Sequence, residues 1–202
     1  MFFSPVTCDE LYKLIMQLKN NKSPGPDNIG PKLIKYIACE RCYSLLCVFN
    51  LSFDKGLVPD KLKLAKVVPV FKGGNELLPN NYRPISLLNV FDKLLEKLMA
   101  VRLYGFLDVH NILYDYQFGF RKNHSTTLAL IDVVNEIFQH LDKDEIDIGT
   151  YLDLKKAFDT FDNNILLYTL HNNGIRGIIY DWFRSYLCNR RQYTCIVPIA
   201  PR

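Results

Sequence analysis

The chain has 202 residues, of which 49% are hydrophobic and 23% are charged, and its formal net charge is +4. This composition supports a buried core and excludes an intrinsically disordered chain, while the mild positive charge permits nucleic-acid binding without demonstrating it. The first residues do not resemble a secretory signal, and no apolar run approaches the roughly 20 residues of a membrane span, so we expect an intracellular protein.

The N-terminal part of the chain is predicted to be helical, with one long loop. A capping box at residues 7–10 predicts that a helix begins there. Residues 20–30 are rich in proline and glycine and predict a loop, and Pro31 suits the first turn of a second helix. A third helix is predicted over about residues 41–54, with Gly56 ending it.

The cysteines of this region suggest either free thiols or a metal site. Cys39 and Cys42 are three residues apart, and Cys47 follows closely. A zinc site of the finger type needs a second pair of ligands, and no histidine lies nearby. The surrounding residues 38–49 have the pattern of an amphipathic helix, in which cysteine serves as a small apolar residue. We therefore predict buried free thiols and a reducing compartment.

A strand and two further helices are predicted in the middle of the chain. Residues 67–71 predict a strand, and Pro69 places that strand at an edge or a bulge of its sheet. The glycine-rich residues 72–75 then turn the chain. A long helix is predicted over about 87–107 and another after Ser125, which can cap it. Their core-facing side chains are predicted to be Leu88, Phe91, Leu94, Leu95 and Leu98 in the first, and Leu128, Ile131, Val134, Phe138 and Leu141 in the second.

The C-terminal part alternates between strand and helix patterns. Apolar side chains alternate with polar ones over residues 146–154, which predicts a strand. Helices are predicted over about 163–173, ended by Gly174, and over 178–187, followed by a strand over 192–197. Helical blocks with few strands predict an α+β fold.

Asp153 is the first candidate for chemistry, because it lies among apolar neighbours near the end of the predicted strand. An ionised carboxylate in such a setting is costly unless it is paired or binds a metal. The backbone carbonyl of Leu154 would add a second hard oxygen, which suits Mg²⁺. Periodicity alone favours the simpler interpretation, in which Asp153 is solvated or caps the turn that follows the strand.

Four blocks of the sequence, in order, resemble the reverse transcriptases of non-LTR (LINE-type) retrotransposons, the jockey-like elements of animals in particular. The segment 152–159, Leu-Asp-Leu-Lys-Lys-Ala-Phe-Asp, resembles the first catalytic motif of that family. The others are residues 22–27, residues 67–74 followed by 81–87, and residues 117–127. The resemblance spans about residues 7–197.

The resemblance implies a right-hand polymerase fold that comprises the fingers and the first part of the palm. Residues 1–202 would form a partial reverse transcriptase domain, with the fingers and the fingers–palm helices over about 1–145 and the start of the palm over about 146–202. This arrangement would be truncated before the remaining catalytic strands and the thumb.

The resemblance also implies roles at the catalytic strand. Asp153 would be the catalytic Mg²⁺ ligand, with the Leu154 carbonyl beside it. Phe158 would be the aromatic gate under the incoming sugar, which favours deoxynucleotides. Ordinary core packing explains Phe158 equally well from the sequence alone.

Three cations complete the implied site. Lys72 and Arg83 match fingers residues that hold the incoming nucleotide, a task for which the arginine fork is suited. Arg121 lies in a block that lines the template path in the family, so a phosphate contact is implied there. The alternative for Lys72 and Arg83 is a pair of exposed loop charges. A solvated basic surface is the alternative for three further arginines considered for nucleic-acid contact: Arg184, Arg190 and Arg191.

The family motif that follows the first catalytic block, a hairpin with paired aspartates, has no match in the sequence, which contains no Asp-Asp pair. We therefore expect the isolated chain to lack polymerase activity. The implied partners are an RNA template, a DNA primer and deoxynucleotides, with no membrane and an address in the nucleus or the cytoplasm. The alternatives are a non-catalytic nucleic-acid-binding remnant of a decayed element, or a product without a biochemical role.

Overall fold

The structure is a computed structural model that describes residues 4–154, 157 and 160–195. The chain divides into two compact units. The first unit comprises Met1–Tyr104 and Asn163–Arg202, and the second comprises Gly105–Asp162. Among the described residues, no helix combines the length and the apolar character that crossing a bilayer requires.

The described residues form helices around one small sheet, which confirms the predicted mixture of helix and strand. In the first unit the helices are α1 (Cys8–Met16), α2 (Pro31–Lys55), most of α3 (Val90–Val109), α5 (Asn163–Asn172) and α6 (Ile178–Leu187). The strands of the same unit are β1 (Leu64–Phe71), β2 (Tyr82–Leu87) and β3 (Arg191–Thr194), with short 3₁₀ turns at Asp60–Lys63 and Pro79–Asn81. The second unit contains α4 (Thr126–Leu141).

Both predicted helix caps are confirmed. The Thr7 hydroxyl accepts a hydrogen bond from the Glu10 amide at 3.2 Å, and the Ser125 hydroxyl accepts one from the Leu128 amide at 3.2 Å. The Glu10 carboxylate accepts hydrogen bonds from Arg102, at 2.7 and 2.9 Å, and a backbone hydrogen bond from Thr7 adds to them, as a capping box requires. The pKa of Glu10 is lowered, chiefly by these bonds.

The prediction of two helices after the proline-rich loop was wrong, because α2 runs without a break from Pro31 to Lys55. No glycine or proline occurs inside this stretch after Pro31, so nothing in the local sequence interrupts the helix. The predicted stop at Gly56 is confirmed: this residue has a left-handed φ of 63° and caps the helix. A side chain at this position would meet the backbone oxygen of Ile178 at 2.8 Å.

The predicted free thiols are present, but most of them are not buried. Cys42 lies in the core, whereas Cys39 and Cys47 on the same helix are exposed. Cys42 donates its thiol hydrogen to the backbone oxygen of Cys8 at 3.6 Å, and burial is the main cause of its raised pKa. Among the three cysteines of the predicted amphipathic stretch, only Cys42 lies on the buried side of α2, which it shares with Ala38 and Phe49.

The helix α4 does not bury the face that its sequence pattern predicts. The five residues expected to face inward are between 37% and 61% exposed: Leu128, Ile131, Val134, Phe138 and Leu141. Amphipathic spacing shows which side chains would share a face, but burial also requires a surface that covers them. None of the described residues of the second unit is buried, so this unit has no core of its own.

The sheet has the order β2–β1–β3, with β1 antiparallel to β2 and parallel to β3. The prediction that Pro69 places this strand at an edge or a bulge was wrong for the strand as a whole, because β1 is the central strand. The register explains how Pro69 is tolerated in a central strand. The Lys72 amide donates to the Asn81 oxygen at 2.9 Å, and the alternation of an antiparallel ladder then makes Pro69 and Pro84 a non-hydrogen-bonded pair. On the other side, β3 pairs with Leu64–Val67 and stops short of Pro69.

The loop at residues 22–27 packs against the start of α3. A side chain at Gly25 would place its Cβ 2.5 Å from the Asn89 amide nitrogen and 2.6 Å from the Leu88 carbonyl carbon. Both are backbone atoms, which cannot move aside in the way that a flexible side chain does. Glycine is therefore required at position 25 by the close approach of two backbone segments.

We predict that Gly25→Ala lowers the free energy of unfolding by roughly 1–3 kcal/mol, the usual cost of forcing extra volume into a packed site. Chemical denaturation followed by circular dichroism measures the change. Gly105→Ala is the matched control, because no atom lies within 4 Å of its added Cβ. It should raise stability by up to about 1 kcal/mol, since alanine favours helix over glycine. Equal effects of the two variants would contradict the predicted clash.

Candidate functional site

The hairpin β1–β2 places the predicted nucleotide-contacting residues Lys72 and Arg83 close to its tip. Arg83 pairs across the ladder with Val70, and Lys72 follows directly after β1. Both side chains are exposed. Within the described residues neither of them makes an ion pair with a carboxylate, so both cations are accessible to an anionic ligand.

The loop of this hairpin is stabilised by its own hydrogen bonds. The side-chain amide of Asn81 donates to the Asn75 oxygen at 2.8 Å, and the Tyr82 hydroxyl donates to the Glu76 oxygen at 3.0 Å. Gly74 has a φ of 95°, and a Cβ there would meet the Asn81 side chain at 2.8 Å. The tip that carries Lys72 therefore has a defined shape, and the predicted turn at residues 72–75 is confirmed.

Arg121, the predicted template contact, lies in the second unit. Its guanidinium donates a hydrogen bond to the Tyr114 oxygen at 3.0 Å, and the side chain is half-buried. The same block contains a ring contact between Phe118 and His124, with centroids 5.7 Å apart. Arg121 thus has a structural role in its own loop, which leaves some of its five N–H donors for other partners.

The predicted strand over residues 146–154 does not form, since residues 145–154 have no regular secondary structure. Its apolar side chains are almost fully exposed, from 76% at Leu154 to 91% at Ile146. A strand exists by hydrogen bonding to a neighbour, and no other strand is present among the described residues of the second unit. The alternating pattern is present in the sequence, but this segment has no neighbouring strand to pair with among the described residues of its unit.

This segment carries the predicted catalytic residue, Asp153. Its side chain and that of Leu154 are exposed. The predicted gate, Phe158, lies outside the described residues. Lys72 and Arg83 belong to one unit and Asp153 and Arg121 to the other.

Residues 70–199, more than half of the chain, match the family described as reverse transcriptase (RNA-dependent DNA polymerase). The chain belongs to the reverse transcriptase family. This stretch includes the hairpin with Lys72 and Arg83, the block around Arg121 and the segment with Asp153.

The relatives of this chain are retrotransposon members of the family. The chain is 32% identical, over 93% of its length, to the probable RNA-directed DNA polymerase from transposon BS of Drosophila melanogaster. It is 34% identical, over 82% of its length, to the RNA-directed DNA polymerase from mobile element jockey of the same organism. The chain spans about a fifth of the length of these curated relatives, 21% and 18% respectively. The predicted resemblance is thus confirmed.

The described residues of the chain do not form a complete metal site. No group of three or more histidine, cysteine, aspartate or glutamate side chains within them is placed to hold a metal ion. Asp153 supplies one carboxylate, whereas two-metal phosphoryl transfer needs several oxygens around ions about 4 Å apart. The described donor set therefore does not fit the Mg²⁺ centre that the family implies.

A buried polar cluster between α3 and α6 was not predicted. Asp92 is fully buried and accepts a hydrogen bond from Arg190 at 3.1 Å, while its other oxygen has no partner in the described structure. The Arg190 guanidinium also lies 4.6 Å from the centre of the Tyr186 ring. The Tyr186 hydroxyl donates to Glu96. The signal in the sequence was the pair of acidic residues, four apart, inside the otherwise apolar stripe of α3.

The burial of this cluster shifts the pKa values of its acidic groups, and Arg190 is paired within it. Burial, and then the nearby charge of Glu96, raise the pKa of Asp92 to about 6, although Arg190 opposes the shift. Burial also raises the pKa of Tyr186. Arg190 is bound to a buried carboxylate, and Arg184 pairs with Asp181 at 3.0 Å. Arg190 is therefore not part of a solvated basic surface.

We predict that Asp92 makes the chain less stable as the pH rises from about 4 to about 6. In that window the folded state keeps a proton on Asp92 that the unfolded state has lost, so each increment of pH favours unfolding. A rise in pKa from 3.8 to about 6 corresponds to on the order of 3 kcal/mol. The contribution is fully present below pH 4 and is lost above pH 6.

Denaturant unfolding of the chain and of Asp92→Asn across this pH range measures the effect. The neighbouring charges Glu96, Arg190 and Lys93 are the same in both proteins. Stability relative to the variant should fall between pH 4 and pH 6 and stay level above it. Asp54→Asn, at an exposed position of α2, is the control and should leave the pH dependence unchanged. A difference between the chain and Asp92→Asn that does not vary with pH would contradict the prediction.

Proposed function

We propose that this chain contributes the fingers and the first part of the palm to RNA-directed DNA synthesis by a retrotransposon polymerase. The observation that carries the proposal is the similarity to named RNA-directed DNA polymerases over 93% and 82% of the chain. The proposed partners are an RNA template, a DNA primer and deoxynucleotides, inside the cell. The division of the chain into fingers, up to about residue 145, and the start of the palm after it is part of the proposal.

Lys72 and Arg83 are proposed to hold the phosphates of the incoming nucleotide. The two residues lie near the tip of a braced hairpin, are exposed, and have no carboxylate partner in the described structure. Lysine acts on phosphate as a point charge, and arginine binds two of its oxygens with its planar fork. The family resemblance of residues 67–74 and 81–87 supports the same assignment.

Asp153 and the carbonyl of Leu154 are proposed as ligands of Mg²⁺ in the palm, with Phe158 as the gate under the sugar. Mg²⁺ in such a centre stabilises charge on the attacking and leaving oxygens. The exposure of Asp153 supports its availability, but a single carboxylate does not form the centre. Arg121 is proposed as a template contact through donors that its bond to Tyr114 leaves available.

A non-catalytic nucleic-acid-binding remnant is the second candidate, favoured by the incomplete metal donor set. The two candidates share their cationic surfaces and differ in chemistry. Polymerisation needs the reacting atoms to be held in a closely defined geometry. Binding to nucleic-acid phosphates does not need a complete metal centre.

We predict that the purified chain does not extend a DNA primer on an RNA template in the presence of Mg²⁺ and deoxynucleotides. The reason is that the sequence contains no Asp-Asp pair, so the paired-aspartate block of the family has no match in it. Gel analysis of a labelled primer is the measurement. Extension that Asp153→Ala abolishes would refute the prediction and would favour a complete catalytic centre.

The nucleotide assignment has a separate test, which does not require turnover. Binding of a fluorescent deoxynucleoside triphosphate, measured by anisotropy, should weaken at least fivefold in Lys72→Gln and in Arg83→Gln, because each change removes a phosphate partner. Lys13→Gln, an exposed lysine on α1, is the control. Equal binding by the unmodified chain and the three variants would contradict the assignment of Lys72 and Arg83.

A further inference from the structure

The helices α1 and α2 bring two cysteines of the first unit together. Cys8 is exposed at the start of α1, and Cys42 lies on the buried side of α2. The sulfur of Cys42 lies 3.6 Å from the backbone oxygen of Cys8 and donates a hydrogen bond to it. Both side chains are free thiols, and a thiol is a weak hydrogen-bond donor. The contact is therefore a consequence of how the helices pack rather than its cause.

Contacts on both sides of Cys8 hold it against α2. Two residues before it, the Val6 amide donates to the side-chain oxygen of Asn50 at 2.8 Å, and the Asn50 side chain donates to the Val6 oxygen at 3.1 Å. Three residues after it, Leu11 is fully buried. None of these contacts uses the Cys8 side chain, so its thiol can react without loss of the packing that holds it.

Cys42 is the cysteine of α2 that contacts Cys8. Cys39 lies one turn earlier on the same helix, but its sulfur is 3.8 Å from the hydroxyl of Tyr12, which is one turn further along α1 than Cys8. Cys47 is exposed and follows Cys42 by five residues, which turns it about 140° around the helix axis. The packing of the two helices therefore selects Cys8 and Cys42 as a pair.

Burial makes the two thiols unequal in reactivity. Burial is the main cause of the raised pKa of Cys42, and the adjacent Cys8 thiol raises that pKa further. Cys42 therefore keeps its proton and is shielded from reagents in solution. Cys8 is exposed, and an exposed thiol is the one that a dissolved oxidant reaches first. This order of accessibility gives the pair an attacking thiol and a second thiol that waits beside it.

We propose that Cys8 and Cys42 close to an intramolecular disulfide by exchange with a low-molecular-weight disulfide. The Cys8 thiol loses its proton, and its sulfur attacks one sulfur of the small disulfide, whose S–S bond breaks and releases the first small thiol. Cys42 then loses its proton, its sulfur attacks that of Cys8, and the second small thiol leaves. The chain gives up two electrons and two protons, and the small disulfide takes them up. An excess of small thiols reverses the exchange.

The bond ties the first turn of α1 to the middle of α2. It closes a loop that includes residues 22–27, the segment in which Gly25 packs against the start of α3. Closing such a loop restricts the unfolded chain, which stabilises the folded state. The thermal midpoint of the oxidised chain should therefore rise by roughly 5–15 °C. The pair lies apart from the residues assigned to nucleotide and metal, so the proposal is independent of the proposed polymerase function.

The first measurement is peptide mapping by mass spectrometry after the purified chain is incubated with glutathione disulfide. Trypsin cleaves after Arg41, so Cys39 and Cys42 fall into different peptides. Cys47 shares the peptide of Cys42, and the mapping is therefore repeated on Cys47→Ser, which should form the same bond. The peptide with Cys8 should be joined to the peptide with Cys42.

An exposed cysteine elsewhere in the first unit is the internal control. Cys188, at the end of α6, should carry glutathione in the same sample. Its modification shows that the reagent reaches exposed thiols and that joining is a property of the pair. Addition of excess reduced glutathione should release both the bond and the adduct.

Variants separate the two steps of the exchange. Cys42→Ala removes the second step, so glutathione should accumulate on Cys8. Cys8→Ser removes the first step, so Cys42 should stay unmodified because it is buried. The thermal midpoint of Cys8→Ser should not rise after the same treatment. Circular dichroism confirms that each variant is folded, and Cys8→Ser, at an exposed position, keeps the test valid if Cys42→Ala does not fold.

Three outcomes overturn the pair. One is a stable glutathione adduct on Cys8 in the unmodified sequence, and another is a Cys8 peptide joined to that of Cys39. The third is a bond between Cys8 and Cys42 that leaves the thermal midpoint unchanged or lower, because the two thiols would then not be held in position by the packing of the reduced chain.

Discussion

The packing of α6 against the end of α2 is the interaction on which the rest of the first unit depends. Trp182 on α6 is 1% exposed, lies 5.6 Å from the Phe53 ring and donates its indole hydrogen to the Ser52 hydroxyl at 3.2 Å. That hydroxyl in turn donates to the Leu57 oxygen at 2.6 Å, which fixes the turn after Gly56. These contacts join segments that are 130 residues apart in the chain. A large aromatic ring buried with its polar group satisfied stabilises such a junction strongly.

The junction also determines where β3 lies. α6 ends at Leu187, and Arg190 and the strand follow within a few residues. Arg190 is held by Asp92 on α3 and by the oxygen of Tyr186 at 3.3 Å, so the chain enters the sheet from a fixed point. β3 can then lie parallel to β1, a pairing that the two strands could not reach through a short turn. The buried carboxylate of Asp92 costs stability above pH 6, and its contact with Arg190 is what places the strand.

The sequence predicted the features that are determined locally and failed for those that depend on a distant partner. The caps at Thr7 and Ser125, the stop at Gly56 and the limits of α6 follow from a few neighbouring residues. The inward face of α4 and the strand at residues 146–154 depend on a surface that the second unit does not supply among its described residues. Asp92 was missed because pattern analysis treats a charged residue on an apolar stripe as an exception, whereas here it has a partner 98 residues away. The residues assigned from the family motifs remain predictions.

The distribution of charge explains how a net charge as low as +4 is compatible with a sheet whose charged residues are all cationic. Several acidic residues of the first unit are paired within it: Glu10 with Arg102, Asp60 with Lys63, Asp92 with Arg190 and Asp181 with Arg184. Each such pair is nearly neutral at a distance. The charged residues of the strands are all cations, and none of them forms an ion pair in the described part of the chain. A surface potential is determined by the charges that remain unpaired, so the sheet is far more positive than the average of the chain. Net charge alone therefore neither supports nor excludes a polyanionic ligand.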